Sequence, residues 1–293
     1  MTERGWSIIV HGGARTISEH RQQANRSGCG AAVAAAADAL AGGASALNAA
    51  ELAVRLLEDD PTFNAGTGAV STRTGEVELD AAMMDGSSLA VGAVAAIRDI
   101  RNPVMVARLL LEADPVLLVG DGARAFALEH GIESGTPMGV RLMPDPTDPS
   151  HDTVGCVAID GEGRVAVATS TGGLTGQMPG RVGDAPIPGC GFYADDHAGG
   201  VAISGDGESI MRVLLAGRVV EQLYRHPAQT AVVSALPALQ RVGGEAGIIA
   251  IDRSGRFGVT HNSDHFAVAA INSRMPRPIA GVHRDEFEDL ING

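Results

Sequence analysis

Short apolar runs alternate with Gly-, Pro- and Asp-rich breaks along most of the chain. Ser7, Ile8, Ile9 and Val10 form one run, stopped by Gly12 and Gly13, which predicts a buried strand. Residues 28–40 are Ala-rich, interrupted by a charge only at Asp38 and closed by Gly42 and Gly43, and this predicts a helix. A second helix is expected over residues 46–58, ending before Pro61. Glu76, Glu78 and Asp80 alternate with Val77, Leu79, Ala81 and Met83, the period of two of a half-buried strand. Residues 89–97 read as its antiparallel neighbour, joined through a turn at Asp85, Gly86, Ser87 and Ser88. Pro103 suits the first turn of a helix running to Glu112, because its missing N–H leaves no bond unmade there. A strand over 116–119 and a helix over 122–130 follow.

From residue 135 to 150 the pattern dissolves, and Pro144, Pro146 and Pro149 break any ladder. An exposed linker is therefore expected over about 135–152. Two hairpins are predicted beyond it. Residues 154–160 and 164–169 flank Gly161-Glu162-Gly163, while 248–252 and 256–260 flank Arg253-Ser254-Gly255. Helices over 207–224 and 228–242 precede the second hairpin, the latter kinked or split at Pro237. This order of elements favours largely antiparallel sheets with helices on their outer faces, an α+β chain.

Composition narrows the partner. The 293 residues are 45% hydrophobic and suffice for one large core, with 39 glycines and only 3% aromatics. Small aliphatic side chains and close backbone approach must then fill the interior. A net charge of -13 argues against phosphate-rich surfaces such as nucleic acid or anionic membrane. Cys29, Cys156 and Cys190 are too scattered for a disulfide framework and read as reduced core thiols. No basic stretch followed by an apolar run opens the chain, and no apolar run reaches membrane-spanning length. A cytoplasmic protein acting on a small molecule or short peptide is the expectation.

The chemistry-bearing residues cluster after the linker. Thr153 opens the run Thr153-Val154-Gly155-Cys156-Val157, and alone it would be an ordinary strand threonine. Downstream stand Ser170-Thr171-Gly172-Gly173, Gly180-Arg181-Val182-Gly183-Asp184 and Ser204-Gly205-Asp206-Gly207. Hydroxyls, glycines and an Arg/Asp pair are thus gathered at strand ends, where N–H groups and side chains can converge on a small ligand. With Asp152-Thr153-Val154-Gly155, these motifs occur in the order found in the plant-type L-asparaginase and isoaspartyl peptidase family, relatives of glycosylasparaginase among the N-terminal-nucleophile hydrolases. The chain resembles that family from His11-Gly12-Gly13-Ala14, through Phe63-Asn64-Ala65-Gly66-Thr67-Gly68, to Gly243-Gly244.

The resemblance implies a single domain with a four-layer αββα sandwich. It implies self-cleavage between Asp152 and Thr153 into an α chain of residues 1–152 and a β chain of 153–293, two such αβ units forming a homodimer. A threonine hydroxyl needs a base, and an α-amino group with a pKa of roughly 7.7–8.0 can serve once the bond is broken. By the same resemblance Thr171 tunes the Thr153 hydroxyl, Arg181 grips a substrate α-carboxylate and Asp184 pairs with an α-ammonium. A salt bridge between Arg181 and Asp184 is the structural alternative. Ser204 and Gly205 face the developing oxyanion, and Asn64 either supports the nucleophile or merely shapes a turn. Ser204 stands where the family usually has threonine. No organic cofactor is implied. A structural sodium ion is implied on backbone oxygens of Leu57, Glu58, Asp60, Phe63, Ala65 and Thr67. His151-Asp152-Thr153 and the run 194–199 lean towards glycosylasparaginase, whereas Gly172-Gly173 and His11-Gly12-Gly13-Ala14 lean towards asparaginase. Glycosyl-asparagine cleavage and an inactive aspartyl-ligand-binding protein thus stand as alternatives. His261, Asp264 and His265 depart from the usual pattern, and a strand end is expected there rather than a metal site, since neighbouring strand positions face opposite ways.

Overall fold

A computed structural model of the protein describes residues 5–135 and 153–291. The expected linker from residue 136 onward, with His151 and Asp152, lies outside the described residues. The first part of the chain forms β1 (Ser7–Arg15), α1 (Glu19–Ala41), α2 (Ala46–Asp59), β2 (Leu79–Asp85), β3 (Val91–Ile97), α3 (Pro103–Leu110), β4 (Leu117–Val119) and α4 (Gly120–Glu129). The second forms β5 (Thr153–Ile159), β6 (Val165–Thr171), β7 (Phe192–Asp195), β8 (Gly199–Gly205), α5 (Gly207–Val213), α6 (Leu215–Leu223) and α7 (Ala228–Ala235). It ends with β9 (Ala246–Asp252), β10 (Phe257–His261), β11 (His265–Asn272), β12 (Ile279–Gly281) and α8 (Glu288–Ile291).

The strands make two sheets, one in the order β12-β11-β1-β5-β6-β2-β3-β4 and the other β10-β9-β8-β7. Between these strands only β3 with β4 pairs in parallel, so the antiparallel expectation holds. Alternation along β5 explains how the layers join. Val154, Cys156 and Ala158 pack with the α1, α2 and α3 side chains, whereas Val157 and Ile159 meet Ala202, Ile249 and Ile251 of the smaller sheet. The far face of that sheet, with Val201, Ile203 and Ile248, packs on α6 and α7. A strand covered on both faces reads as a largely apolar run, which is why neither β5 nor β6 carries a charged residue. The sheets also approach closely. A Cβ placed on Gly200 would lie 2.6 Å from Val157 Cγ1 and 2.9 Å from Val167 Cγ2, so β8 needs glycine there.

Several expected elements shift. Helix α1 begins at Glu19 rather than near residue 28, because its polar first turns show no apolar period although their residues favour helix. The pair β7 and β8 carried no strand signal, its run being broken by Gly199 and Gly200. The acidic face of β2 does not meet solvent, since Glu78 and Asp80 are both buried. The helix expected over 207–224 breaks at Leu214, whose φ of 52° is left-handed, and 236–241 tightens into a 3-10 turn at Pro237. Among the described residues, no helix is long and apolar enough to cross a membrane.

Leu214 is 59% exposed and pays a conformational penalty without packing in return. Leu214→Gly should raise unfolding stability by about 0.5–1 kcal/mol, read from the urea midpoint at unchanged slope. A lower midpoint would show that this side chain contributes more than its exposure indicates.

Candidate active site

Thr153 lies directly opposite Thr171 on β6, and Thr171 lies opposite Asp80 on β2. Opposed residues share a face of the sheet, with Cβ atoms roughly 4.5–5.5 Å apart, so the three form one transverse row. Their face is that of Val157, Val167 and Ala82, and the row therefore borders the space between the sheets. All three side chains are buried. Across that space stands Ser204 on β8, wholly buried, whose Oγ accepts the N–H of Thr153 at 3.3 Å and that of Ala14 at 3.1 Å. A register shift between His11 and Ala14 in β1 turns the Ala14 amide towards this hydroxyl.

Neighbouring glycines are needed where they stand. Gly205 has φ 152°, and a Cβ there would sit 2.1 Å from the Glu245 carbonyl oxygen. Gly172 faces Asn64, whose Oδ1 would be 2.5 Å from an added Cβ. Asn64 is buried; its amide donates to the Gly173 carbonyl at 2.7 Å and accepts from the Val70 N–H at 2.9 Å, while Gly173 N–H donates to Thr171 Oγ1 at 3.1 Å. Those bonds make Asn64 the tie between the 63–70 loop and the turn that follows Thr171.

The Arg181 guanidinium forms its ion pair with Glu208, through Nε at 2.9 Å and Nη2 at 2.7 Å. A salt bridge to Asp184 is thus not what engages this fork. Glu208 carries no signal of this role in the sequence, although it directly follows Ser204-Gly205-Asp206-Gly207 and lies in the first turn of α5. The Nη1 edge remains turned towards Gly183. Asp184 is buried and pushed up to about 7 by desolvation, partly offset by its own backbone and by Arg181. Its Oδ2 has no hydrogen-bond partner among the described residues. Such an acceptor is costly unless a cation completes it, and a substrate ammonium is a cation of suitable size.

Two buried imidazoles flank Phe266, with His11 at 5.6 Å and His261 at 5.9 Å between ring centroids. Burial pushes His11 down to about 3 and His261 down to about 4, so both are neutral near pH 7. The Thr153 backbone lies close enough to His11 to offset its shift slightly, although no hydrogen bond of good geometry reaches either ring nitrogen among the described residues. His261 ends β10 and His265 begins β11, as a strand-end reading expects. Asp264 accepts the Thr16 hydroxyl at 2.6 Å and His265 Nδ1 accepts the Ile17 N–H at 3.1 Å, anchoring the entry to α1. No group of His, Cys, Asp and Glu among the described residues is arranged to hold a metal.

The loop nominated for sodium offers only hard oxygens. Carbonyls of Asp60 and Ala65 each accept one backbone N–H at 3.2 Å, and the shielded Thr67 hydroxyl has no partner among the described residues. Beside it the buried Glu58 carboxyl accepts from Val104 N at 3.1 Å and Asn102 Nδ2 at 3.1 Å, yet desolvation still pushes it up to about 8. These residues fit a hard monovalent cation. By contrast, a cavity of about 840 Å³, lined by Trp6, Arg253, Arg274 and Met275 among others, opens at the opposite strand ends and borders none of the residues nominated for catalysis.

The polar site thus lies at strand ends between two stacked sheets of an α+β chain. The sequence profile described as asparaginase matches residues 4–141 and 135–277, and the chain belongs to that family. It is 42% identical to the isoaspartyl peptidase/L-asparaginase of Xenopus laevis, covering 90% of this chain and 91% of that protein. It is 36% identical to the isoaspartyl peptidase of Escherichia coli (strain K12), covering 97% and 98% respectively. The isoaspartyl peptidase/L-asparaginase of Bos taurus is 39% identical over 90% of this chain and 92% of its own length.

The raised pKa of Asp184 sets a sign for ligand binding. An ammonium needs the ionised carboxylate, which is lost as pH falls through about 7. KM for an aspartyl substrate should therefore rise below that pH, and Asp184→Asn should keep KM high and flat from pH 5.5 to 8.5. A wild-type KM that does not change across this range would rule out Asp184 as the ammonium partner.

Proposed function

We propose that the protein hydrolyses L-asparagine and β-aspartyl (isoaspartyl) peptides to L-aspartate, with Thr153 as nucleophile. The observation that carries this reading is the placement of buried Thr153 opposite Thr171, with Ser204 Oγ accepting its N–H, in a chain that also buries an Asp184 oxygen without a hydrogen-bond partner among the described residues. We read the order of helices, large sheet, small sheet and helices as the αββα sandwich of an N-terminal-nucleophile hydrolase, within one domain. Three apolar clusters, one between each pair of successive layers, support it.

In this reading Thr153 Oγ first attacks the carbonyl carbon of Asp152. The peptide bond is exchanged for an ester, and water then hydrolyses the ester to an Asp152 carboxyl and a free Thr153 amine. That amine takes the hydroxyl proton when Thr153 attacks the substrate β-carbonyl. Ammonia or a peptide amine leaves with a proton, and water cleaves the resulting acyl ester to release L-aspartate. The Gly205 N–H and the Ser204 hydroxyl face the oxyanion, each such donor typically contributing ~3–4 kcal/mol to barrier lowering. Asp184 takes the α-ammonium and the Nη1 edge of Arg181 the α-carboxylate, its other edge being engaged by Glu208. The sodium ion on Leu57, Glu58, Asp60, Phe63, Ala65 and Thr67 would hold the loop that carries Asn64. The homodimer of αβ units and a cytoplasmic location belong to the same reading. The relatives' names favour it over cleavage of glycosyl-asparagine.

Intact mass after incubation should resolve the wild-type chain into fragments 1–152 and 153–293, and Thr153→Ala should remain whole. Cleaved protein should release ammonia from asparagine and leucine from β-aspartyl-leucine. Turnover of aspartyl-glucosamine alone would overturn the assignment, as would a Thr153→Ala chain that still splits.

A further inference from the structure

Of the three carboxylates of the β2 region that the sequence pattern placed on a half-buried face, two have no part in the chemistry above and yet are buried. They are Glu78, just before β2, and Asp80 within it. Glu78 Oε2 accepts the N–H of Gly180 at 2.7 Å. Asp80 Oδ1 accepts the N–H of Ala96 at 2.7 Å, and the Gly183 amide lies against the same carboxylate. The segment bracketed between Gly180 and Gly183 carries Arg181 and leads directly into Asp184. Other bonds hold the same stretch: the Arg181 N–H donates to the Met178 carbonyl at 2.9 Å, the Arg181 guanidinium pairs with Glu208, and the Asp184 carbonyl accepts the Ile187 N–H at 3.0 Å. Ala96, the residue that Asp80 holds, has φ 48°, a left-handed conformation that alanine adopts only when its surroundings impose it.

We infer that Glu78 and Asp80 are positioning residues that clamp the 180–184 loop onto β2 and so set where Arg181 and Asp184 meet an aspartyl head group. The inference rests on the proposed function and adds to it the means by which head-group recognition is registered to the nucleophile. Asp80 stands in the row of Thr171 and Thr153, so the loop is tied to the same strand positions that place the attacking hydroxyl. The charges agree with this geometry. Arg181 pairs with Glu208 and lies near Asp80 and Asp184, with Glu78 beside Asp80, a site one ammonium would relieve. The clamp acts on binding, and the reacting carbonyl is left to Thr153, Ser204 and Gly205.

Steady-state kinetics on asparagine and calorimetric binding of L-aspartate test this on the processed full-length protein. Asp80→Asn replaces an acceptor oxygen by an amide donor facing backbone N–H groups. It should raise KM and the aspartate Kd about tenfold or more, with kcat within about threefold, as loss of a buried charge-assisted bond implies. Glu78→Ala should act in the same direction, and Glu78→Gln, whose Oε1 still accepts from Gly180, should restore values near wild type. Should Asp80→Asn not fold, the Glu78 pair decides alone. Unchanged KM and Kd in folded variants, a loss confined to kcat, or failure of Glu78→Gln to rescue would overturn the clamp. A wild-type protein that neither releases ammonia nor binds L-aspartate would instead defeat the functional reading on which the clamp rests.

Discussion

Antiparallel register across β5, β6 and β2 is the constraint on which the site depends. It sets Thr153 opposite Thr171 and Thr171 opposite Asp80, all turned to the space between the sheets. A slip of one residue would turn these side chains towards the helices and bring Val154 and Ser170 into their place. The core opposes such a slip on both faces at once. Val154, Cys156 and Ala158 fit among the helices, and Val157 and Ile159 fit against the smaller sheet. Packing and the placement of these side chains are therefore one requirement: the volume match that stabilises the layers also aims the hydroxyls.

Desolvation gives this site its electrical character. Arg181 is outnumbered by the carboxylates around it, and burial raises Asp80 and Asp184 to about 7. In water such groups would ionise without cost, but here their charge awaits a compensating cation. The same burial keeps His11 and His261 neutral, so they add no competing positive charge. An ammonium group is what offsets this excess of carboxylate. Glu208 adds a restraint, since it engages the Nε and Nη2 edge of the guanidinium and leaves Nη1 turned towards Gly183.

Much was legible where the signal is local. The hairpins around 161–163 and 253–255 form as their turn residues require, and the Ala-rich run and Pro103 begin or fill helices as expected. The motifs around Thr153, Thr171, Arg181, Asp184 and Ser204 announced themselves by residue type and order. Other features had no local signature. The polar start of α1 lacks an apolar period, and the left-handed break at Leu214 occurs in a run that otherwise favours helix. The alternation at Glu78 and Asp80 was visible, but period two cannot distinguish a face that meets water from one that meets another part of the protein.

The sequence by itself determined which segments are strands and helices in outline, and which residues can do chemistry, because periodicity and side-chain type are carried by neighbours in the chain. Only the tertiary structure decided their partners. The Ser204 hydroxyl receives amides from Thr153 and from Ala14, the latter 190 positions away, and Gly180 is held by Glu78 from 102 positions away. It also decided that Arg181 pairs with Glu208 and that Asp184 keeps an unpartnered oxygen. Burial and contact across sheets arise only when both layers are assembled, and with them the energies that make an ordinary strand-opening threonine part of a site.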